Sequence, residues 1–194
     1  MPDEPRAKRV DDPSTMRALA HPLRLRLLGL LRTDGPATAT SLATVIGSSV
    51  PLVSYHLKQL SKHGFIEDAP ELARDGRERW WRASHEYTTW SWTEFLDTPE
   101  RIDAATAFNR EILRVYTESI ERFLAEQHAW SREWLEASDM SDYPLDLSPE
   151  EATALVKELH GVVERWRGSS SRQPEKEHVK VILATFPFKK RSTS

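Results

Sequence analysis

The chain has 194 residues, 39% apolar and 29% charged, and its net charge of −3 divides into 13 Lys and Arg against 10 Asp and Glu over residues 1–83 and 14 against 20 over residues 84–194. That length and composition suit a soluble globular protein of one or two domains, whose first half tolerates a polyanion and whose second half does not need one. Cysteine is absent, which excludes disulfides, thiolate metal sites and cysteine nucleophiles, and no run of about 18 apolar residues is present to cross a membrane.

The first stretch, "MPDEPRAKRVDD", is charged and lacks the apolar core of a secretory signal, so the chain is expected to be cytoplasmic. Without apolar periodicity, residues 1–12 read as a disordered arm. In "PSTMRALAHPLRLRLLGLLR", Met16, Leu19, Leu23, Leu27 and Leu30/Leu31 recur at helical spacing, and Pro22 splits the stretch into two helices. "TDGP" stops the second. "TATSLATVIG" is a short third helix with Leu42, Val45 and Ile46 on one face and Gly47 at its end. Ser49 is placed to cap a fourth helix, residues 49–63, which Gly64 ends. "FIEDA" and "RERWWRAS" read as the strands of a β-hairpin around a turn-rich loop, "PELARDG".

"HEYTTWSW" has strand-like composition. From Pro99 to Ala137, Ile102, Ala105, Phe108, Ile112, Val115, Ser119, Phe123, Trp130 and Trp134 recur at gaps near three and four, the seam of a coiled-coil-like helix about 60 Å long. No small monomer has a core of that length, so a partner helix is expected. "SPEEATALVKELHGVVERW" opens with a capping box from Ser148 to Glu151 and has Leu155, Val156, Leu159, Val162, Val163 and Trp166 as its buried stripe. "HVKVILATFPF" reads as a C-terminal strand, which must pair with residues 86–92 or with a second subunit to avoid an open apolar edge.

The fourth helix, "SSVPLVSYHLKQLSKHGF", carries the chemistry. On a helical wheel Val53, Leu57 and Leu60 lie within about 60° of one another. Pro51, Ser54, Tyr55, Lys58, Gln59 and Lys62 occupy the opposite arc, with no acidic residue between positions 48 and 66. Such a division suits the second helix of a helix-turn-helix, which docks by one face and offers donors to bases and phosphates from the other. An amphipathic helix that merely faces water would also explain it.

At "LAHPLRLRLLGLL", "ATSLATVIGSSVPLVSYHLKQLSKHGFIE" and "DGRERWWRAS", residues 14–84 resemble the ArsR-like winged-helix regulators. The resemblance implies a winged helix-turn-helix domain over residues 13–84 that binds double-stranded DNA. Its fourth helix would enter the major groove and the 69–79 wing would meet the backbone or minor groove. Carried over, Val50, Pro51, Leu52, Ser54, Tyr55 and Lys58 fall at the reading positions, and Arg74, Arg77 and Arg79 in or beside the wing; Ser49, Gln59 and Lys62, on the same helix, join them as candidate DNA contacts. His56 falls on the helix flank, where packing suits it better than a base contact. Metal-sensing members use cysteines on the third helix or acid and histidine sets on the last. "TATSLATVI" has none of these, so no metal is expected, and His160 with Glu164 reads as an exposed polar pair.

Trp90, Trp92, Trp130, Trp134 and Trp166 are candidates for a small-molecule effector pocket. Core and interface packing explains their periodic spacing more simply. Enzyme signatures are missing: no GxSxG elbow, phosphate-cradling glycine loop or HExxH occurs, and no catalytic residue or cofactor is expected. The expected fold is mainly α with a small β component: the winged helix-turn-helix domain, then over residues 85–194 an α-helical dimerisation region with a C-terminal strand. The expected protein is a homodimer, joined through the helix near 100–137 and the C-terminal region, that acts as a repressor on a pseudo-palindromic operator. The alternative is a winged-helix protein–protein interaction module without sequence-specific DNA binding.

Overall fold

The computed structural model describes residues 7–73, 78–169 and 176–189. The chain is mainly helical with short strands and falls into two compact units, one ending at Glu126 and the other beginning at Gln127.

In the first unit the chain runs through β1 (Ala7–Arg9), α1 (Pro13–Leu19), α2 (Pro22–Thr33), β2 (Ala37–Thr38), α3 (Ala39–Ile46), α4 (Val50–Lys62), β3 (Ile66–Asp68), β4 (Trp80–Ala83), β5 (Tyr87–Thr89) and α5 (Pro99–Glu126). Local chemistry sets the helix borders. The Asp12 carboxylate accepts from the Thr15 N–H at 2.9 Å ahead of α1, and His21 Nδ1 accepts from the Leu23 N–H at 3.2 Å ahead of α2. Pro22 opens α2, so the expected break is present and both helices gain a proline in the first turn. Thr38 and Ser41 cap one another's backbone at the start of α3, and Gly47, at φ 71°, turns the chain toward α4 in the left-handed region that a side chain would strain. Ser49 stands at the N-cap of α4, but its hydroxyl makes no capping bond.

Every helix of this unit sends side chains to one core. Met16, Leu19, Leu27, Val53, Leu57, Leu60, Phe65, Ile66, Phe95 and Phe108 are all 2% exposed or less. Burying each such side chain contributes roughly 1.5–3 kcal/mol. The sheet has the order β2-β4-β3, antiparallel throughout, with Ile66 opposite Ala83 and Asp68 opposite Trp81. The β3–β4 hairpin is the expected one. The two-residue β2 that completes it was not expected, because so short a strand shows no periodicity. Val45 also departs from expectation: it is 61% exposed, and Ala43 takes the inward position beside Leu42.

Residues 7–12 are not the disordered arm expected for 1–12. β1 pairs in parallel with β5, Ala7 opposite Tyr87, and Val10 is fully buried and donates its N–H to the Thr89 carbonyl. One isolated apolar residue anchors the segment, too little for a periodic signal.

The winged-helix core does not close at residue 84. Ala104 and Phe108 of α5 are buried, Ala105 and Ile112 pack beside them, and Phe108 meets the Trp90 ring edge-on at a centroid distance of 4.9 Å. The first half of the expected seam therefore finds its partner in α1 and α2 of the same chain. Ile102, expected on that seam, is 40% exposed, and Ala104 takes the inward place. The helix is also shorter than expected, at 28 residues or about 42 Å. A 3-10 turn over Gln127–Ala129 follows it, and the Ser131 hydroxyl then caps a separate helix by accepting from the Trp134 N–H.

The second unit holds that helix, α6 (Arg132–Glu136), and α7 (Pro149–Ser169). The capping box at α7 is formed: the Ser148 N–H donates to Glu151 Oε2 at 2.7 Å, and the Glu151 N–H to Ser148 Oγ at 3.2 Å. Its expected buried stripe is only half covered. Leu155, Val156, Leu159 and Val163 are half-buried, while Val162 and Trp166 are exposed. Residues 178–188 form no strand ladder among the described residues, and Val179, Val181, Phe186 and Phe188 are exposed. The expected alternative partner within the chain, 86–92, supplies β5 to β1 instead. No described helix is long and apolar enough to cross a membrane.

Candidate nucleic-acid interface

The two faces of α4 part where the wheel places them. Val53, Leu57 and Leu60 are fully buried, and His56 is 4% exposed. On the other side Ser49, Val50, Pro51, Leu52, Tyr55, Lys58 and Lys62 are exposed, and Ser54 and Gln59 are half-buried. The face therefore offers an apolar first turn, then a hydroxyl, a phenol, an amide and two ammonium groups.

Beneath that face two histidine rings pack close to Arg24. The His56 ring packs on the His21 ring at a centroid distance of 4.3 Å and meets Tyr55 edge-on at 5.1 Å. Burial lowers the His56 pKa below its usual value, and the nearby His21 and Arg24 charges push it the same way. His56 therefore packs α4 against α2 as a neutral ring and offers nothing to a ligand at the outer face.

The wing supplies the second element. Trp80 and Trp81 point to opposite sides of β4, and Trp81 is the one in the core at 3% exposure. Arg79 lies over the Trp81 ring at 4.1 Å and binds Asp68 with both arms, at 2.5 and 2.8 Å. This pairing raises the Arg79 pKa and lowers that of Asp68. Arg79 is thus partly occupied within the wing. Arg74 and Arg77 lie outside the described residues.

Between α4 and the wing runs an open groove of about 510 Å³, lined among others by Ser54 and Lys58 from α4, Thr40 and Ser41 from α3, and Glu78 and Arg79 from the wing. The α3 hydroxyls escaped the sequence reading, which took that helix only for its apolar face. Their signal was the exposed Thr–Ser capping pair that opens it. The groove sets hydroxyl and ammonium donors on its α3 and α4 edge and the Glu78 carboxylate beside Arg79 on its wing edge.

Of the five tryptophans proposed for an effector, Trp90 and Trp92 belong to the first unit and Trp130, Trp134 and Trp166 to the second. Trp90 is half-buried against Phe108 and Trp92 is 69% exposed in the first unit; in the second, Trp130 and Trp134 meet edge-on at 6.4 Å while Trp166 is 74% exposed. Neither this groove nor the 520 Å³ one beside Arg32 and Arg82 is lined by any of them. Among the described residues no cluster of three histidines or acids could hold a metal ion.

Residues 19–69 match the family model of a helix-turn-helix domain. Among solved structures the chain is similar to the homodimeric winged helix-turn-helix DNA-binding domain Mb0332 of Mycobacterium bovis, a possible ArsR-family transcriptional regulator (24% identity, 54% of this chain and 76% of that one, TM-score 0.34). It is also similar to transcriptional regulator Tm0710 of Thermotoga maritima (15% identity, 77% and 80%, TM-score 0.31) and to Rv1404 of Mycobacterium tuberculosis (15%, 78% and 81%, TM-score 0.32). No curated protein matches the chain.

Proposed function

We infer that this chain, which carries a winged helix-turn-helix domain of the ArsR-like kind in its first half, is a homodimeric transcriptional regulator that represses by occupying a pseudo-palindromic operator. One observation carries the reading: α4 buries Val53, Leu57 and Leu60 and turns Ser54, Tyr55, Lys58, Gln59 and Lys62 outward beside a groove walled by the wing. A helix so presented fits the major groove. Ser54, Tyr55 and Gln59 then reach base edges, and Lys58 and Lys62 reach phosphates. Two copies related by a twofold axis would set their reading helices about 34 Å apart, one turn of duplex. The partner copy would dock on the second half of α5, where Leu113, Ile120 and Leu124 are 65%, 37% and 47% exposed.

The test is a salt series. Full-length protein titrated against the duplex upstream of its own gene should bind with an affinity that falls steeply with salt. Tyr55→Ala should weaken binding to that duplex more than to random DNA, while Lys58→Ala should weaken both and flatten the salt slope by about one unit. No binding to any duplex at low salt would favour a protein-interaction module instead.

A further inference from the structure

The first turn of α4 is made of Val50, Pro51 and Leu52, all exposed, Val50 at 39% and Leu52 at 46%. In a helix-turn-helix the N-terminal residues of the second helix are those that meet base edges. Here they have no side-chain donor or acceptor. Apolar groups in the major groove have one bulky apolar feature to meet, the C5 methyl of thymine, since the other base edges there present mainly hydrogen-bonding groups.

The rest of the helix agrees. α4 contains no arginine, and the lysines that could donate to guanine, Lys58 and Lys62, come in the later turns rather than the first. Its one amide, Gln59, is suited to adenine. Exposed ammonium groups, and no acid between residues 48 and 66, make the face complementary to DNA rather than to a neutral or basic protein.

We propose that Val50, Pro51 and Leu52 read thymine methyl groups, so that the preferred half-site carries two or three thymines where the α4 first turn enters the groove. This deepens the DNA-binding reading above and rests on it. The discriminating ligand is a 5-methylpyrimidine: deoxyuridine in place of thymine would lose the contact, and 5-methylcytosine in place of cytosine would gain one.

The experiment uses the full chain and a pool of randomised 30-base-pair duplexes. Sequences enriched by binding are resynthesised with deoxyuridine at each thymine in turn, which removes one methyl and no hydrogen-bonding group. At two or three positions per half-site the substitution should weaken binding about 3- to 5-fold, the worth of one buried methyl. Leu52→Gln and Val50→Ser, both surface changes whose folding is checked by circular dichroism, should each bind thymine and deoxyuridine duplexes alike at the position that residue reads. Equal affinity of the native protein for both duplexes at every position overturns the methyl reading and leaves DNA binding standing. Failure to enrich or bind any duplex overturns the DNA-binding reading itself.

Discussion

His56 of α4 and His21 at the start of α2 pack ring on ring, tilted by 41° with their centroids 4.3 Å apart, and the Nδ1 of His56 is buried with no hydrogen-bond partner among the described residues. Burial lowers both pKa values from 6.5; Arg24 adds to this at each ring, and Glu111 partly opposes it at His21. His63, beside Thr15, is likewise lowered by burial, against a raising effect from Asp12. The unfolded chain therefore takes up protons near pH 6.5, before the folded one does. Stability that is complete above that pH is lost as the pH falls through it toward the folded values. The melting temperature should drop between pH 7.5 and 5.5, and His56→Leu should flatten the drop by removing one such ring. An unchanged slope in that variant would clear His56 of the effect.

Asp12 works at a different pH. Burial pushes its carboxyl up, but the hydrogen bonds from Thr15 and Ser14 more than offset this and hold it at about 2. The stabilisation is present above the ordinary carboxylate value of 3.8 and fades as the pH falls toward 2. Asp12→Ala should cost about 1 kcal/mol at pH 7, the usual worth of a helix cap, and nothing below pH 2. Urea melts at the two pH values measure it.

How far the sequence shows this fold depends on period and length. Val53, Leu57 and Leu60 announce their face because a 13-residue helix repeats its pattern, and Pro22, Gly47 and Ser148 mark helix ends by backbone chemistry that acts locally. β1 and β2 span three residues and two, below any period, and exist through pairing with distant segments. The seam of α5 was visible, but not which partner each half would meet. That depends on Phe108 reaching Trp90, a contact no local pattern encodes. At the candidate site the outward face of α4 was legible residue by residue. The Asp68 carboxylate that occupies Arg79 was not, because its place across the hairpin follows from strand register.

Phe108 tests whether α5 belongs to the winged-helix core. It is 1% exposed and holds Trp90 edge-on, so Phe108→Ala should cost about 3–5 kcal/mol, the range for aromatic truncation in a packed core. If α5 were only an appended dimerisation arm, the loss would be far smaller and confined to association. Chemical denaturation at two protein concentrations separates these outcomes.

The Asp68–Arg79 pair bears on affinity more than on stability. Both side chains are about half exposed, at 48% and 54%, so screening limits the pair to less than about 1 kcal/mol. Asp68→Ala should leave the melting temperature nearly unchanged. It removes a negative charge beside the α4 groove and frees the Arg79 guanidinium, which still rests on Trp81. Affinity for random duplex at low salt should rise, with a steeper salt slope. An unchanged slope would mean that Arg79 points away from the backbone even when released.

The second half of α5 should decide the oligomer. Leu113 and Ile120 are seven residues apart and Leu124 four further on, so all three lie within about 40° on one side of the helix, flanked by the half-buried Tyr116 and Phe123. Leu113 with Tyr116 and Ile120 with Phe123 repeat the a and d spacing of a two-helix seam. A charge there would be buried without a partner in a dimer but solvated in a monomer, at little cost to the fold. Leu113→Glu with Ile120→Glu should therefore convert the protein to a monomer in sedimentation, with the melting temperature of the winged-helix unit retained at low concentration. Operator affinity should collapse toward that for random DNA, because a monomer engages one half-site only. A double variant that still sediments as a dimer would move the interface off this face, to the apolar side of α7 or to residues 178–188.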